Sequence, residues 1–319
     1  MIYASLMLGM VFLGVAFSVV FVGLATYLIV EIPFHVGIGI TVLFAFMNLG
    51  AMLSTIFLTL FADWQSGSIF ALTMEVLILF SIIFIHFALL DPPFPKHLAY
   101  LRKGTRIWKE MHYRLALFII AIIFYGLCEN TFNLWGEKLL GFFLEPDVVH
   151  GTISIFWLFM IVGQILTLIP LYFISARNVL YFLGFLMILA LFTFPFQTRL
   201  PGFIAMLTLG GIACAAIFPI LLSMLEEEIK EIKSELDYHL KVLPYLEMGI
   251  AWMMMGYIFG TGLITIEVES ATKNTFESVS SKFFIAMIYA VIMLIIAYFL
   301  STSFQQKMKS KNKWFKGFF

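Results

Sequence analysis

The sequence predicts an all-α fold, a polytopic bundle of helices held in a membrane. Three observations predict it. Apolar residues make up 62% of the 319 positions and charged residues only 12%, where a soluble domain carries about 25% charged residues. The mean hydropathy is +1.03. The apolar residues also fall into runs as long as a bilayer core demands, about 20 residues as helix. A soluble fold of this length has too little interior for so much apolar surface, so lipid is the expected solvent for most of the chain.

Taken in order, the runs cover about 5–30, 36–61, 67–90, 114–142, 151–174, 179–196, 202–225, 246–266 and 283–301, nine expected spans. All are too long and too uniformly apolar for barrel strands. The first has no basic residue before it and is too long for a signal-peptide core. Two connections stand out. Residues 91–113 form a loop with Asp91-Pro92-Pro93-Phe94-Pro95 followed by Lys96, Arg102, Lys103, Arg106 and Lys109. Residues 226–245 are charged, yet Ile229, Ile232, Leu236, Leu240 and Leu243 fall near one helical stripe. That segment is either an amphipathic helix on the membrane surface or a solvated connector. The chain therefore divides into 1–90 with three helices, the 91–113 loop, 114–301 with six helices, and a basic tail at 302–319.

Charge sets the orientation. With the 91–113 loop in the cytoplasm, 15 of the 19 Lys and Arg lie on that side, and only Lys138, Arg199, Lys273 and Lys282 lie opposite. The positive-inside rule then places the amino terminus outside and the carboxyl terminus in the cytoplasm. Formal net charge is zero, which removes any charge-based case for nucleic-acid binding. Cys128 and Cys214 both lie in apolar runs without metal or redox spacing, so they are expected as small buried hydrophobes.

Ionisable groups inside spans are expensive and usually functional. Glu75, His86, Glu129, Glu137, Lys138 and Glu247 fall in or near spans. Glu129 stands apart, near the middle of its run in Phe124-Tyr125-Gly126-Leu127-Cys128-Glu129-Asn130-Thr131-Phe132-Asn133-Leu134-Trp135-Gly136. Helical spacing puts Tyr125, Glu129, Asn133 and Glu137 on one face, flanked by Asn130. Such a set cannot face lipid and must line a cavity or bond across helices. Glu75 is a weaker candidate of the same kind. Asn48 and Gln164 are amides at depth that either hold a solute or tie helices together. Gly210, Gly211, Gly256, Gly260 and Gly262 are expected to let helices pack closely.

The run CENTFNLWGEKLL, Cys128–Leu140, resembles the seventh helix of sugar-permease-like members of the major facilitator superfamily, with Glu129, Phe132, Asn133 and Trp135 matching a short string common there. The basic loop before it is similar to the superfamily's central cytoplasmic loop. Ile155-Phe156-Trp157-Leu158 through Gly163 resembles the eighth helix, Ile212 to Leu222 with Phe218-Pro219 the tenth, and Phe46 to Leu53 the fifth. Gly163-Gln164 differs from the Gly-Arg often found in the eighth.

The resemblance implies helices four to twelve of that fold in a plasma (bacterial inner) membrane. It implies a secondary active transporter of a small solute, a sugar or related metabolite, coupled to protons. The site residues would be Glu129, Asn130, Asn133, Trp135, Tyr125, Gln164, Asn48 and Glu75. The partners would be the solute, the bilayer and protons. Without the first three helices, the chain is expected to be a truncated gene product that does not transport alone. A non-transporting remnant or membrane assembly protein of the same fold is the alternative. The sequence carries no phosphate loop, metal-ligand cluster or nucleophile–base pair at depth, so neither an enzyme nor a cofactor nor a metal is expected.

Overall fold

A computed structural model describes residues 41, 43–50, 105–232, 243–270 and 275–315. Among these residues every regular element is helical. The elements are α1 (Thr105–Asn130), a π-helical turn (Thr131–Trp135), α2 (Gly136–Leu140), α3 (Pro146–Phe173), α4 (Ala176–Thr193), a 3₁₀ turn (Phe194–Phe196), α5 (Leu200–Cys214), α6 (Ile217–Ile232), α7 (Leu243–Ser270) and α8 (Phe276–Phe315). Residues 43–50 form a further helical stretch.

Six helical segments are long and apolar enough to cross a membrane: Tyr113–Leu140, Gly151–Leu171, Ala176–Phe196, Leu200–Leu225, Met248–Val268 and Phe276–Leu300. Five match expected runs to within a few residues. The sixth starts seven residues earlier than the expected 283, because Thr275 caps it: the Ser278 N–H bonds to Thr275 Oγ1 at 3.3 Å. Its helix also runs on to Phe315, through most of what reads as a basic tail. The first three expected runs lie outside the described residues apart from residue 41 and 43–50, and so do the 91–104 part of the loop and Glu75 and His86. Residues 226–232 simply extend α6 rather than starting a separate surface helix, while 233–242 lie outside the described residues.

Polarity is distributed as a lipid solvent requires. The exposed large residues of α4 are Phe182, Phe185, Leu189 and Phe192; those of α7 include Trp252, Met255, Phe259, Leu263 and Ile266. Both sets repeat every three or four residues, so each helix turns an apolar stripe outward. In water such stripes would aggregate; against hydrocarbon they are at rest. Buried Thr41, Asn48, Glu129, Thr131, Gln164 and Thr167 sit inside instead. The chain is a polytopic α-helical membrane protein.

Small residues set the packing. α1 packs on α7 and α8, α4 packs on α5 and α8, and α3 packs on α5. A Cβ at Gly260 would lie 2.5 Å from the Ile123 carbonyl oxygen, and one at Gly126 would lie 3.1 Å from the Tyr257 carbonyl oxygen. Gly260 admits nothing larger than hydrogen and Gly126 leaves little room, so the α1 and α7 backbones nearly touch, the arrangement that helices in lipid use in place of a hydrophobic driving force. Gly211 does the same against Phe156 of α3, at 2.5 Å from its carbonyl oxygen. Gly262 departs from expectation: nothing lies within 4 Å of its Cβ position.

Two spans are irregular. The first contains the π-helical turn Thr131–Trp135. Just before and at its start, Asn130 Nδ2 bonds back to the Gly126 carbonyl at 3.2 Å and Thr131 Oγ1 to the Leu127 carbonyl at 2.8 Å. Such back-bonding competes with the helical ladder, and π turns of this kind cluster at functional sites. The fourth span breaks at Ala215–Ala216 between α5 and α6. Pro219 accounts for the break: it lacks an N–H for the Ala215 carbonyl, and its ring crowds that same group. Past the break, α6 reaches α1, α4 and α7 at the centre of the bundle.

Candidate functional site

The π turn and the proline break frame one polar cluster. Glu129 lies on the last turn of α1, only 2% exposed. Tyr257 of α7 donates its hydroxyl to Glu129 Oε1 at 2.7 Å. The glycine seam makes this possible, because Gly256 and Gly260 flank Tyr257 and bring α7 against α1 at this level. Tyr125, one turn before Glu129 on the same face, donates its hydroxyl to the Cys214 carbonyl at 3.0 Å, at the end of α5. Glu129 lies one turn on along the same face, and Tyr257, which donates to its carboxylate, stacks on Tyr125. No Lys or Arg among the described residues hydrogen-bonds to Glu129.

Aromatic rings close over these groups. Tyr125 and Tyr257 stack with centroids 6.1 Å apart, and Phe218 of α6 meets Tyr257 edge-on at 5.6 Å and Tyr125 at 6.3 Å. Phe44, from the helical stretch that precedes the loop, sits 4.4 Å from Phe218. The cluster therefore lies where α1, α5, α6 and α7 meet the preceding segment. An acid with one firm hydroxyl donor and no cationic partner, shielded from water, can take up or release a proton when the rings part. It can also bind a polar solute.

The predicted site residues divide. Tyr125 and Glu129 are brought together. Asn130 is spent on its own helix backbone. Asn133 is half-buried and forms no hydrogen bond with a described residue. Within the π turn, the chain presents the apolar Phe132 and Trp135 inward rather than continuing the polar face. Trp135 is buried and its indole N–H has no hydrogen-bond partner among the described residues; Lys282 lies over its ring at 5.6 Å and pairs with Glu267 at 2.6 Å. Among the described residues, buried Gln164 finds no partner for either amide atom, and buried Asn48 finds none for its Nδ2. Asn48 sits one turn beyond Phe44, so it shares the face that meets α6. No described contact links Gln164 to Glu129. Glu75 lies outside the described residues.

The sequence analysis missed Tyr257 and the Cys214 carbonyl. Tyr257 stands in Trp252-Met253-Met254-Met255-Gly256-Tyr257, where tyrosine reads as one more bulky residue. Its position between Gly256 and Gly260 was the available signal. Cys214 and Cys128 are free and buried, as their apolar setting suggests, and the Cys128 thiol donates to the Ala286 carbonyl at 3.3 Å. Among the described residues, no group of three His, Cys, Asp or Glu could hold a metal ion.

No family model matches the chain, and no curated protein matches its sequence.

Proposed function

We propose that this protein is a secondary transporter of a small solute, with a major-facilitator-like fold and a proton as coupling ion. In this reading the six described spans are helices seven to twelve, and residues 1–90 supply helices four to six, including the stretch that carries Phe44 and Asn48. The site lies near the membrane midplane between the two bundles, as alternating access requires. The carboxyl terminus is cytoplasmic and the amino terminus outside, in a plasma (bacterial inner) membrane. The resemblance of Cys128–Leu140 to sugar permeases favours a sugar or related metabolite.

The observation that carries this reading is Glu129: a buried carboxylate near mid-span, with the Tyr257 hydroxyl donating to it, Tyr125 one turn before it and no basic partner among the described residues. Intramembrane acids of this kind mark proton relays and solute paths. Asn48 and Gln164 supply amide groups at depth without partners among the described residues, which a polar solute would satisfy. The proton moves as Glu129 faces one aqueous side and then the other, and the rings of Phe44 and Phe218 separate and rejoin.

The test is uptake of a broad solute panel by vesicles from cells that produce the protein, so that any second polypeptide it needs is present. Accumulation of at least one solute class under an imposed proton gradient is expected. Asn133→Ala is expected to weaken solute binding.

A second reading is a membrane assembly protein that keeps the fold without the path. It is favoured by how tightly the cluster closes, with Tyr125, Glu129 and Phe218 all buried and their neighbouring rings in contact. Vesicles that accumulate no member of the panel would support it.

A further inference from the structure

We propose that Tyr125 is a hydroxyl switch that links the protonation of Glu129 to the break between α5 and α6. The proposal rests on the transport reading only for what the switch serves; the switch itself follows from the hydrogen bonds. One hydroxyl carries one proton, and two acceptors compete for it. One is the Cys214 carbonyl, 3.0 Å away at the carboxyl end of α5. The other is the Glu129 carboxylate, one turn on along the same helix face and held by Tyr257, whose ring stacks on that of Tyr125.

Charge decides the competition. An ionised carboxylate is an acceptor only, and hydrogen bonds to it are roughly twice as strong as neutral ones. It draws the Tyr125 proton away and leaves the Cys214 carbonyl without that donor. A protonated Glu129 reverses the order. Its own O–H donates to the Tyr125 oxygen, the Tyr125 O–H donates to the Cys214 carbonyl, and a single chain runs from α1 to α5. The Tyr125 to Cys214 link of this second arrangement is the bond seen at 3.0 Å. The proton comes from water on whichever side the cluster opens to, and returns to water when it leaves.

The carbonyl at stake sits beside the weakest point of the fourth span. Pro219 has already removed one rung there, so the end of α5 depends on partners outside its own ladder. Past the break, α6 carries Phe218, which packs against Tyr125, Tyr257 and Phe44. Loosening the break therefore loosens the ring contact that closes the cluster. Among the described residues, the titratable groups around Glu129 are Tyr125 and neighbouring Cys128 from α1, Tyr257 from α7 and Cys214 from α5. From α6, Phe218 brings only a ring, and the α8 contact is the Ala286 carbonyl that takes the Cys128 thiol. Tyr257 holds Oε1 in both states and anchors the acid without reporting its charge.

Cys214 provides a built-in reporter, because its thiol is buried at the end of α5 and becomes reactive only if the break opens. The experiment is alkylation of the full-length protein in membranes by N-ethylmaleimide, with Cys214 and Cys128 resolved by mass spectrometry. At alkaline pH, Glu129→Gln should slow Cys214 labelling by about fivefold, the weight of one hydrogen bond on an opening equilibrium. A glutamine amide donates to Tyr125 as the protonated acid does. Tyr125→Phe should label fast, and adding Glu129→Gln to it should change nothing further. An equal slowing by Glu129→Gln with and without Tyr125→Phe would overturn the switch. If Tyr125→Phe does not reach the membrane, the ratio of wild-type to Glu129→Gln labelling decides: it should rise from about one in acid to about five in alkali, and a constant ratio overturns the proposal. Labelling needs no solute, so the switch and the transport reading fail separately.

Discussion

Two clusters lie less than one turn apart on the first described span, and they are built by opposite means. At Glu129 the helix meets its neighbours through hydroxyls and a carboxylate. At Phe132 it meets them through rings alone: Phe156 at 5.5 Å, Phe194 at 6.0 Å and Phe283 at 6.4 Å, with Phe194 and Phe283 stacked at 4.8 Å. The π turn begins between the two and carries Phe132. It ends the polar face after Asn130 and presents Phe132 and Trp135 to the interior. The ring cluster is a fixed floor, since rings at van der Waals contact have one good arrangement. The polar cluster can exist in two, because a proton can be on or off and a hydroxyl can turn. The difference teaches where motion is to be sought: above the π turn, not below it.

Substitutions test that contrast from the strongest effect to the weakest. Gly260→Leu pushes a side chain into the Ile123 carbonyl, already 2.5 Å from a Cβ, and should destabilise the fold by about 3 kcal/mol or more. Reversible unfolding in mixed micelles measures it, and a loss under 1 kcal/mol, on the order of a surface change, would mean the α1–α7 seam is not held by that glycine. Phe283→Ala should lower stability by about 2 kcal/mol, because in lipid only the cavity contribution survives and the transfer contribution is small. It should leave the pH dependence of Cys214 labelling unchanged, as a floor residue would.

Tyr257→Phe removes the donor to Glu129 Oε1 and should be destabilising by about 1–2 kcal/mol. Unlike Phe283→Ala it should alter activity out of proportion to stability, and equal damage to both from the two variants would dissolve the contrast between floor and switch. Lys282→Met should matter least. Its bond to Glu267 joins side chains that are 25% and 39% exposed, and such pairs contribute about 0–1 kcal/mol. A larger loss would show that the contact with the Trp135 ring stabilises the outer end of the bundle.

The sequence made the polar cluster half legible and the ring cluster almost illegible, for one physical reason. A carboxylate in lipid is so unfavourable that Glu129 identifies itself, and Tyr125 follows from helical spacing. A phenylalanine is at ease both against lipid and in the core. Among 37 of them nothing marks Phe132, Phe194 and Phe283 as buried and Phe182 or Phe259 as outward-facing. The spans were visible because their length is set by the bilayer. Their irregularities were not: 114–142 and 202–225 read as unbroken, although Asn130-Thr131 and Pro219 were the signals for the π turn and the break. The spacing that put Asn133 on the Glu129 face assumed an even helix, and the π turn begins between the two residues. Tyr257 needed knowledge of which helices touch, and that is encoded in Gly126, Gly256 and Gly260 acting together.

The central claim is that Glu129 is the proton-bearing group of a solute path. It is tested most directly by comparing gradient-driven accumulation with solute exchange in membrane vesicles carrying wild type or Glu129→Gln at matched expression. The account predicts that the variant still exchanges solute across the membrane but no longer accumulates it against a gradient, because binding survives and the titration is gone. Accumulation by the variant at the wild-type level would contradict the claim and leave Glu129 as a structural tie between α1 and α7.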